Sequence, residues 1–325
     1  MTATAIRQCV GVIQNSVKVA SKATVESRLV KLRQQHGPES MTQLLADLKT
    51  TPPEKGMAPN EIEIGVSKIL KRIERSPIHI GFKAFNTSLE NGIFSKDGEF
   101  LPGGQYESRY VRQAKKGQKS VPRGKEDPNM DPYHQPVYGA INFSGIGHKG
   151  WGRSAIVLYP HMQEHGEVHS RDTGDSSDFA IGEYCKTGDI DNLAPILQDW
   201  HKTGHLKSYW PYLTSDKPLP PNLVDPHFPL EVAIYREGGV ITPDDMGLIM
   251  VDKGELTSPH CASGLSLSDK EKALENFSQD HNVKVLVDDF STERPHWDLP
   301  SYQNLMKKYQ DRRAADDSTR GVLWV

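Results

Sequence analysis

From residue 137 onward the chain is divided into apolar runs too short to be helices: "VYGAINF" (137–143), "SAIVLY" (154–159), "LEVAIY" (230–235), "GLIMVD" (247–252) and "VKVLVDDF" (283–290). The runs are bounded by Gly, Pro, Ser or Asp, which is the pattern of strands. Helical spacing appears only in "LAPILQDWHKTG" (193–204), "LSDKEKALENFSQ" (267–279) and "SYQNLMKKYQDRRAAD" (301–316), the last entered through Pro300. Strands that do not alternate regularly with helices argue against a βαβ wind and predict an α+β domain. No Gly-rich phosphate loop of Rossmann or Walker type is present in the sequence.

The first 75 residues have a different texture. Residues 24–50 carry helical periodicity, broken at Gly37-Pro38 and restarting after Ser40, which suits an N-cap. "TPPEKGMAPN" (51–60) punctuates, and 60–76 then places Ile62, Val66, Ile69, Leu70 and Ile73 on one helical face. This divides the chain into a helical N-terminal region (1–75) and a sheet-containing domain (76–325). The first 25 residues hold no acid, are rich in Ser and Thr, and lack the apolar core of a Sec signal. They read as a frayed leader or as a non-Sec bacterial secretion signal.

Charge and cysteine content narrow the classes. A net charge of −3 over 325 residues gives no global attraction to nucleic acid or membrane, so neither is an expected partner. The three cysteines, Cys9, Cys185 and Cys261, are far apart and odd in number, which fits free thiols in a reducing compartment. No apolar run approaches the roughly 18 residues of a membrane helix. Basic charge is local: residues 103–125 are dense in Lys and Arg, with Glu107 as their one acid.

"PHMQEHGEVH" (160–169) raises zinc chemistry, because His161, Glu164 and His165 follow the H-x-x-E-H order of some metallopeptidases. That order needs both histidines one turn apart on a helix. Pro160 suits a helix start, but Gly166 arrives after a single turn. A strand-to-turn connection explains the segment as well, and no metal is assigned.

Three stretches read in order suggest another chemistry. "PIHIGFKAFNTSLENGIFSKDG" (77–98) is a strand bearing His79, then a short helix. "QPVYGAINFSGIGHKGWGRSAIVLYP" (135–160) is a Tyr-Gly strand, a Gly-rich loop and a strand opening on Ser154. "FPLEVAIYREGGVITPDDMGLIMVD" (228–252) is a strand carrying Glu231, a turn and a strand ending in Val-Asp. This succession resembles the ADP-ribosyltransferases, which place His or Arg on the first strand, Ser or Tyr on a middle strand and a catalytic Glu on a late one. It also resembles a family of bacterial proteins with a Tyr-Gly-Ala strand, a "GDS" box and a Glu-bearing late strand; here these are "VYGAINF", "DTGDSS" (172–177) and "LEVAIY". The resemblance spans about 77–255.

The resemblance implies a mixed or antiparallel split β-sheet core of ADP-ribosyltransferase type, with NAD as substrate. It implies catalytic roles for Glu231, His79 and Ser154. Glu231 would stabilise the ribosyl cation, His79 would bind the adenosine ribose, and Ser154 would support Glu231 or bond the nicotinamide amide. Tyr138 and Gly139 would line the nicotinamide site. Members with an Arg on the first strand differ from this chain, which offers His79 and Lys83 there. Arg109 and Arg112 in the basic loop suit the pyrophosphate, since guanidinium pairs bidentately with phosphate oxygens. Trp200, Tyr209 and Trp210 precede the Glu-bearing strand, where the fold recognises its acceptor, and such aromatics anchor protein interfaces.

The expected function is therefore mono-ADP-ribosylation of a protein acceptor by a monomeric bacterial effector, secreted by a non-Sec system and acting in host cytoplasm. One effector group of this kind modifies a threonine of ubiquitin, which makes host ubiquitin a candidate acceptor. Two alternatives stay open: a zinc hydrolase using 161–165, and a non-catalytic binding module on the same scaffold.

Overall fold

The computed structural model describes residues 38–82, 137–145, 147, 153–171, 181–183, 193–215, 217–220, 223, 230–234, 241–257, 265–290 and 296–307. Two helices open this part, α1 (Pro38–Thr50) and α2 (Pro59–Arg75). Helix α1 already includes Ser40, so the expected N-cap lies inside it. Helix α2 starts on Pro59, whose missing N–H costs nothing in a first turn, and the Glu61 carboxylate accepts from the Ala58 amide at 2.7 Å. Pro77 ends it by pushing Ser76 out of the helical region, to ψ 134, and the chain leaves directly into a strand.

Strands β1 (Ile78–Phe82), β2 (Val137–Ile141), β3 (Ser154–Leu158), β4 (Gly166–His169), β5 (Ile181–Glu183), β6 (Glu231–Ile234), β7 (Met246–Asp252) and β8 (Val285–Asp288) form one sheet in the order β5-β4-β6-β2-β1-β3-β7-β8. All neighbours are antiparallel except β7 and β8. The fold is thus α+β with a mixed, mostly antiparallel sheet behind N-terminal helices. Among the described strands the expected split is not seen. Strand β1 bonds β2 on one side and β3 on the other, so one continuous ladder joins the two halves.

Side chains alternate across a strand, so each strand serves two faces. One face is apolar: Ile78, Ile80, Val137, Ile141, Ile156, Val168, Val232, Ile234, Ile249 and Val251 belong to a single core cluster. Helices α1, α2, α3 (Ala194–Lys202) and α4 (His205–Leu213) cover it. The expected face of α2 is the observed one, and removing a side chain such as Ile69 from water contributes about 1.5–3 kcal/mol. Arg72 on α2 locks this layer by donating to the carbonyls of Phe143 (3.0 Å), Tyr212 (3.0 Å) and Lys217 (2.8 Å).

The second face is divided. Over β3 and β7 it is apolar, with Val157, Leu248 and Met250 packed under Phe290, Leu299, Tyr302 and Leu305. The last three belong to the turn and helix of the C-terminal segment, the helix α7 running over 300–307. Over β2, β6 and β4 the same face carries Tyr138, Ala140, Glu231, Ala233, Glu167 and His169. Two more helices flank β7 and β8: α5 (Lys253–Thr257), and α6 (Leu267–His281), which Ser266 caps by accepting from the Asp269 amide.

Candidate functional site

The register of the strands builds a line of side chains across the divided face. His79 pairs with Ala140, Ala140 with Glu231, and Glu231 with His169. Paired residues point to the same side, so all four lie on one face. Strands are about 4.8 Å apart, which puts the His79 and Glu231 backbones roughly 10 Å from each other with only the Ala140 methyl between them. A parallel row follows through Tyr138, Ala233 and Glu167.

At one end of the line three ionisable groups are buried together. His169 Nε2 lies 2.9 Å from Glu167 Oε1, and His169 Nδ1 lies 3.5 Å from Glu231 Oε1. Their relative exposures are 2% for His169, 0% for Glu167 and 4% for Glu231. Burial by itself would lower the His169 pKa, but the hydrogen bond to Glu167 and the nearby carboxylates of Glu167 and Glu231 outweigh it and raise the value. The imidazole thus sits between two acids that favour its charged form.

The other end is neutral. Asn142 Oδ1 accepts from the amides of Gly145 (3.1 Å) and Gly147 (2.8 Å), which orients the side-chain amide and leaves Nδ2 to donate. Asn142 Nδ2 donates to the Tyr302 hydroxyl at 2.8 Å and faces His296 Nδ1 at 3.3 Å. The Tyr302 hydroxyl lies 3.2 Å from His79 Nε2. His79 Nδ1 is buried with no hydrogen-bond partner among the described residues. The His296 ring stacks on His79 at 5.6 Å. Burial, and secondarily the neighbouring His296, holds the His79 pKa well below the ordinary histidine value. Burial also pushes the Tyr302 phenol up, only partly offset by Asn142, so it stays a protonated donor. Gly147 is required for this packing: its φ is +73, and a Cβ there would sit 2.7 Å from His296 Cε1.

The expected site residues separate accordingly. Glu231, His79 and Tyr138 share the face. His79 is only 3% exposed, sealed beneath Tyr302 and His296 rather than open to a ribose. Ser154 belongs to the opposite parity on β3, with Ile156 and Leu158. Its Oγ donates to Glu255 Oε2 at 2.6 Å and accepts from the Asp252 amide at 3.0 Å, which makes it a latch between β3, β7 and α5. Gly139 also faces away, where a Cβ would meet the His79 carbonyl at 2.8 Å and Ile78 Cγ2 at 3.0 Å; it serves strand packing. Trp200 on α3 and Tyr209 and Trp210 on α4 are core residues under the sheet, turned inward by their helices. Arg109, Arg112, Lys83 and the "DTGDSS" box fall outside the described residues.

The zinc segment is a 3-10 helix, Pro160–His165, followed at once by β4. With three residues per turn, positions four apart do not stack on one face. His161 instead meets Asp245 at 3.3 Å. Among the described residues no group of three His, Cys, Asp or Glu side chains is arranged to hold a metal ion.

Glu167, His169, Asn142, His296 and Tyr302 were not expected at the site. A signal for the first two was present: "GEVH" read as a strand puts Glu167 and His169 on one face, two residues apart. No protein-family model matches the chain, and no curated protein matches it.

Proposed function

We propose that the chain is a mono-ADP-ribosyltransferase that splits NAD with Glu231 as the central group and passes ADP-ribose to a protein acceptor. The observation that carries this reading is the transverse line His79–Ala140–Glu231–His169, in which the first, middle and late strands of the motif order are direct neighbours. In the proposed reaction the bond between ribose C1′ and the nicotinamide nitrogen breaks, and its electron pair leaves with neutral nicotinamide. The ribosyl cation is stabilised by the Glu231 carboxylate, as carboxylates stabilise the related cation in glycoside cleavage. An acceptor hydroxyl then attacks C1′ and gives up its proton.

A secreted effector acting on a host protein, with ubiquitin as a first candidate acceptor, is the setting this proposal adopts. No helix among the described residues is long and apolar enough to cross a membrane. The burial of both His79 (3% exposed) and Glu231 (4% exposed) favours one competing reading, a scaffold that binds a partner without turnover.

Pure protein incubated with labelled NAD and a eukaryotic lysate separates the two. Nicotinamide release with label on a protein band, both lost in Glu231→Gln, is the expected result. Wild-type protein that releases no nicotinamide, with or without lysate, overturns the enzymatic reading.

A further inference from the structure

We infer that His169 is the positioning residue of Glu231: clasped by Glu167 at one nitrogen and facing Glu231 with the other, it fixes the place of the Glu231 carboxylate on the sheet floor. This rests on the catalytic reading of Glu231. It assigns work to three groups, two of which no motif pointed to.

The argument starts from what such a cluster costs. Two carboxylates and an imidazole removed from water stabilise a fold less well than apolar residues of the same size. The opposite face of these same strands uses Val168 and Val232, so packing here has no need of charge. A buried carboxylate on its own is driven toward its neutral form, and a second acid nearby drives it further. An imidazole between the two acids relieves this by bonding one and facing the other. The geometry places it there, with the tighter contact, 2.9 Å, on the Glu167 side and the looser one, 3.5 Å, on the Glu231 side. The asymmetry suits the two jobs. Glu167 fixes the ring and its charge, while Glu231 is held less tightly and can accept a bond from a bound sugar hydroxyl.

Among the described residues, the charged groups in contact with His169 are Glu167 on its own strand and Glu231 on β6, while on β5 the register sets Ile181 opposite His169 and the ionisable Glu183 opposite Glu167. A rate that needs the imidazolium falls as pH rises through the raised His169 pKa. Glu167→Gln removes the stronger stabiliser and moves that limb to lower pH.

The test combines kinetics with nitrogen-15 NMR of histidine-labelled protein, the His169 signals being assigned from a His169→Gln spectrum. Expected are a His169 that titrates above a free histidine, a lower midpoint in Glu167→Gln and in Glu231→Gln, and a rate limb that tracks the midpoint in Glu167→Gln. His169→Gln should lower kcat for nicotinamide release on the order of 10²-fold with little change in KM for NAD, as expected when a reacting group is misplaced. A His169 that titrates like a free histidine, or whose midpoint ignores Glu231→Gln, overturns the inference. So does a pH limb unmoved by Glu167→Gln. Should His169→Gln not fold, Glu167→Gln keeps shape and carries the test. Wild-type protein that releases no nicotinamide, yet keeps a Glu231-dependent imidazolium, sinks the NAD reading and the catalytic part of this inference while the clasp itself stands.

Discussion

Two histidines stand on one face of one sheet, separated by Ala140 and Glu231, and their surroundings shift their pKa values in opposite directions. His79 lies under aromatic rings with a phenol as its hydrogen-bond partner, and burial keeps it neutral. His169 is as deeply buried but has two carboxylates, and they raise its pKa. Burial alone does not decide a charge state; the counter-charge within a few ångströms does. The line therefore runs from an uncharged, aromatic end to an ionic one, and Glu231 belongs to the ionic end.

The largest effect expected on this contrast is chemical. Glu231→Gln keeps the shape of the row and removes its charge, and nicotinamide release should fall on the order of 10²–10³-fold in a steady-state assay. Unchanged release would move the chemistry away from this line altogether.

Next come the two histidines as structural parts. His169→Leu leaves Glu167 and Glu231 without their cation and should cost about 3–5 kcal/mol in urea unfolding. His79→Leu removes only a neutral acceptor and should cost less, about 1–3 kcal/mol. Equal costs would break the comparison, since they would mean that His169 is not charged in the folded protein. Tyr302→Phe takes the hydroxyl away from Asn142 and His79 together and should also cost about 1–3 kcal/mol, with no effect on the His169 titration.

The pH dependence is the smallest and the sharpest. The His169 pKa is raised on folding, so its contribution is fully present below about pH 6.5 and is lost as pH rises through the folded value. His79 is lowered on folding, so the unfolded chain takes up its proton first, and stability is lost as pH falls from about 6.5 toward the folded value. Thermal unfolding across this range should lose its acid-side slope in His79→Leu and its alkaline-side slope in His169→Leu. Swapped slopes would reverse the charge assignment.

Much of the sheet was legible because its strands are short, apolar and bracketed by breakers. The runs at 137, 154, 230, 247 and 283 all contain strands, and the α2 face was readable from its spacing. The segments 166–169 and 181–183 were not, for a physical reason. A strand of three or four residues carries too little periodicity to distinguish it from a turn, and it exists here through its ladder to β6 and its partner. Helix α4 was not read from the sequence; it includes Pro211, with Trp210 packed against Gly65 of α2. Glu231 was legible as a strand residue. Its neighbours Glu167 and His169 come from a strand more than sixty residues earlier, and only the register makes them adjacent.

The sequence by itself determined the α+β class, the apolar face of α2 and the placement of Glu231 and His79 on strands, because these follow from local periodicity and local breakers. Which face each side chain takes within the assembled sheet, and what it meets there, was decided only by tertiary structure. Ser154 and Gly139 turned away from Glu231, His79 was sealed by a helix more than two hundred residues later, and His169 came to rest between two acids. Each outcome depends on strand register and on long-range packing, and no local pattern encodes the partner across a ladder.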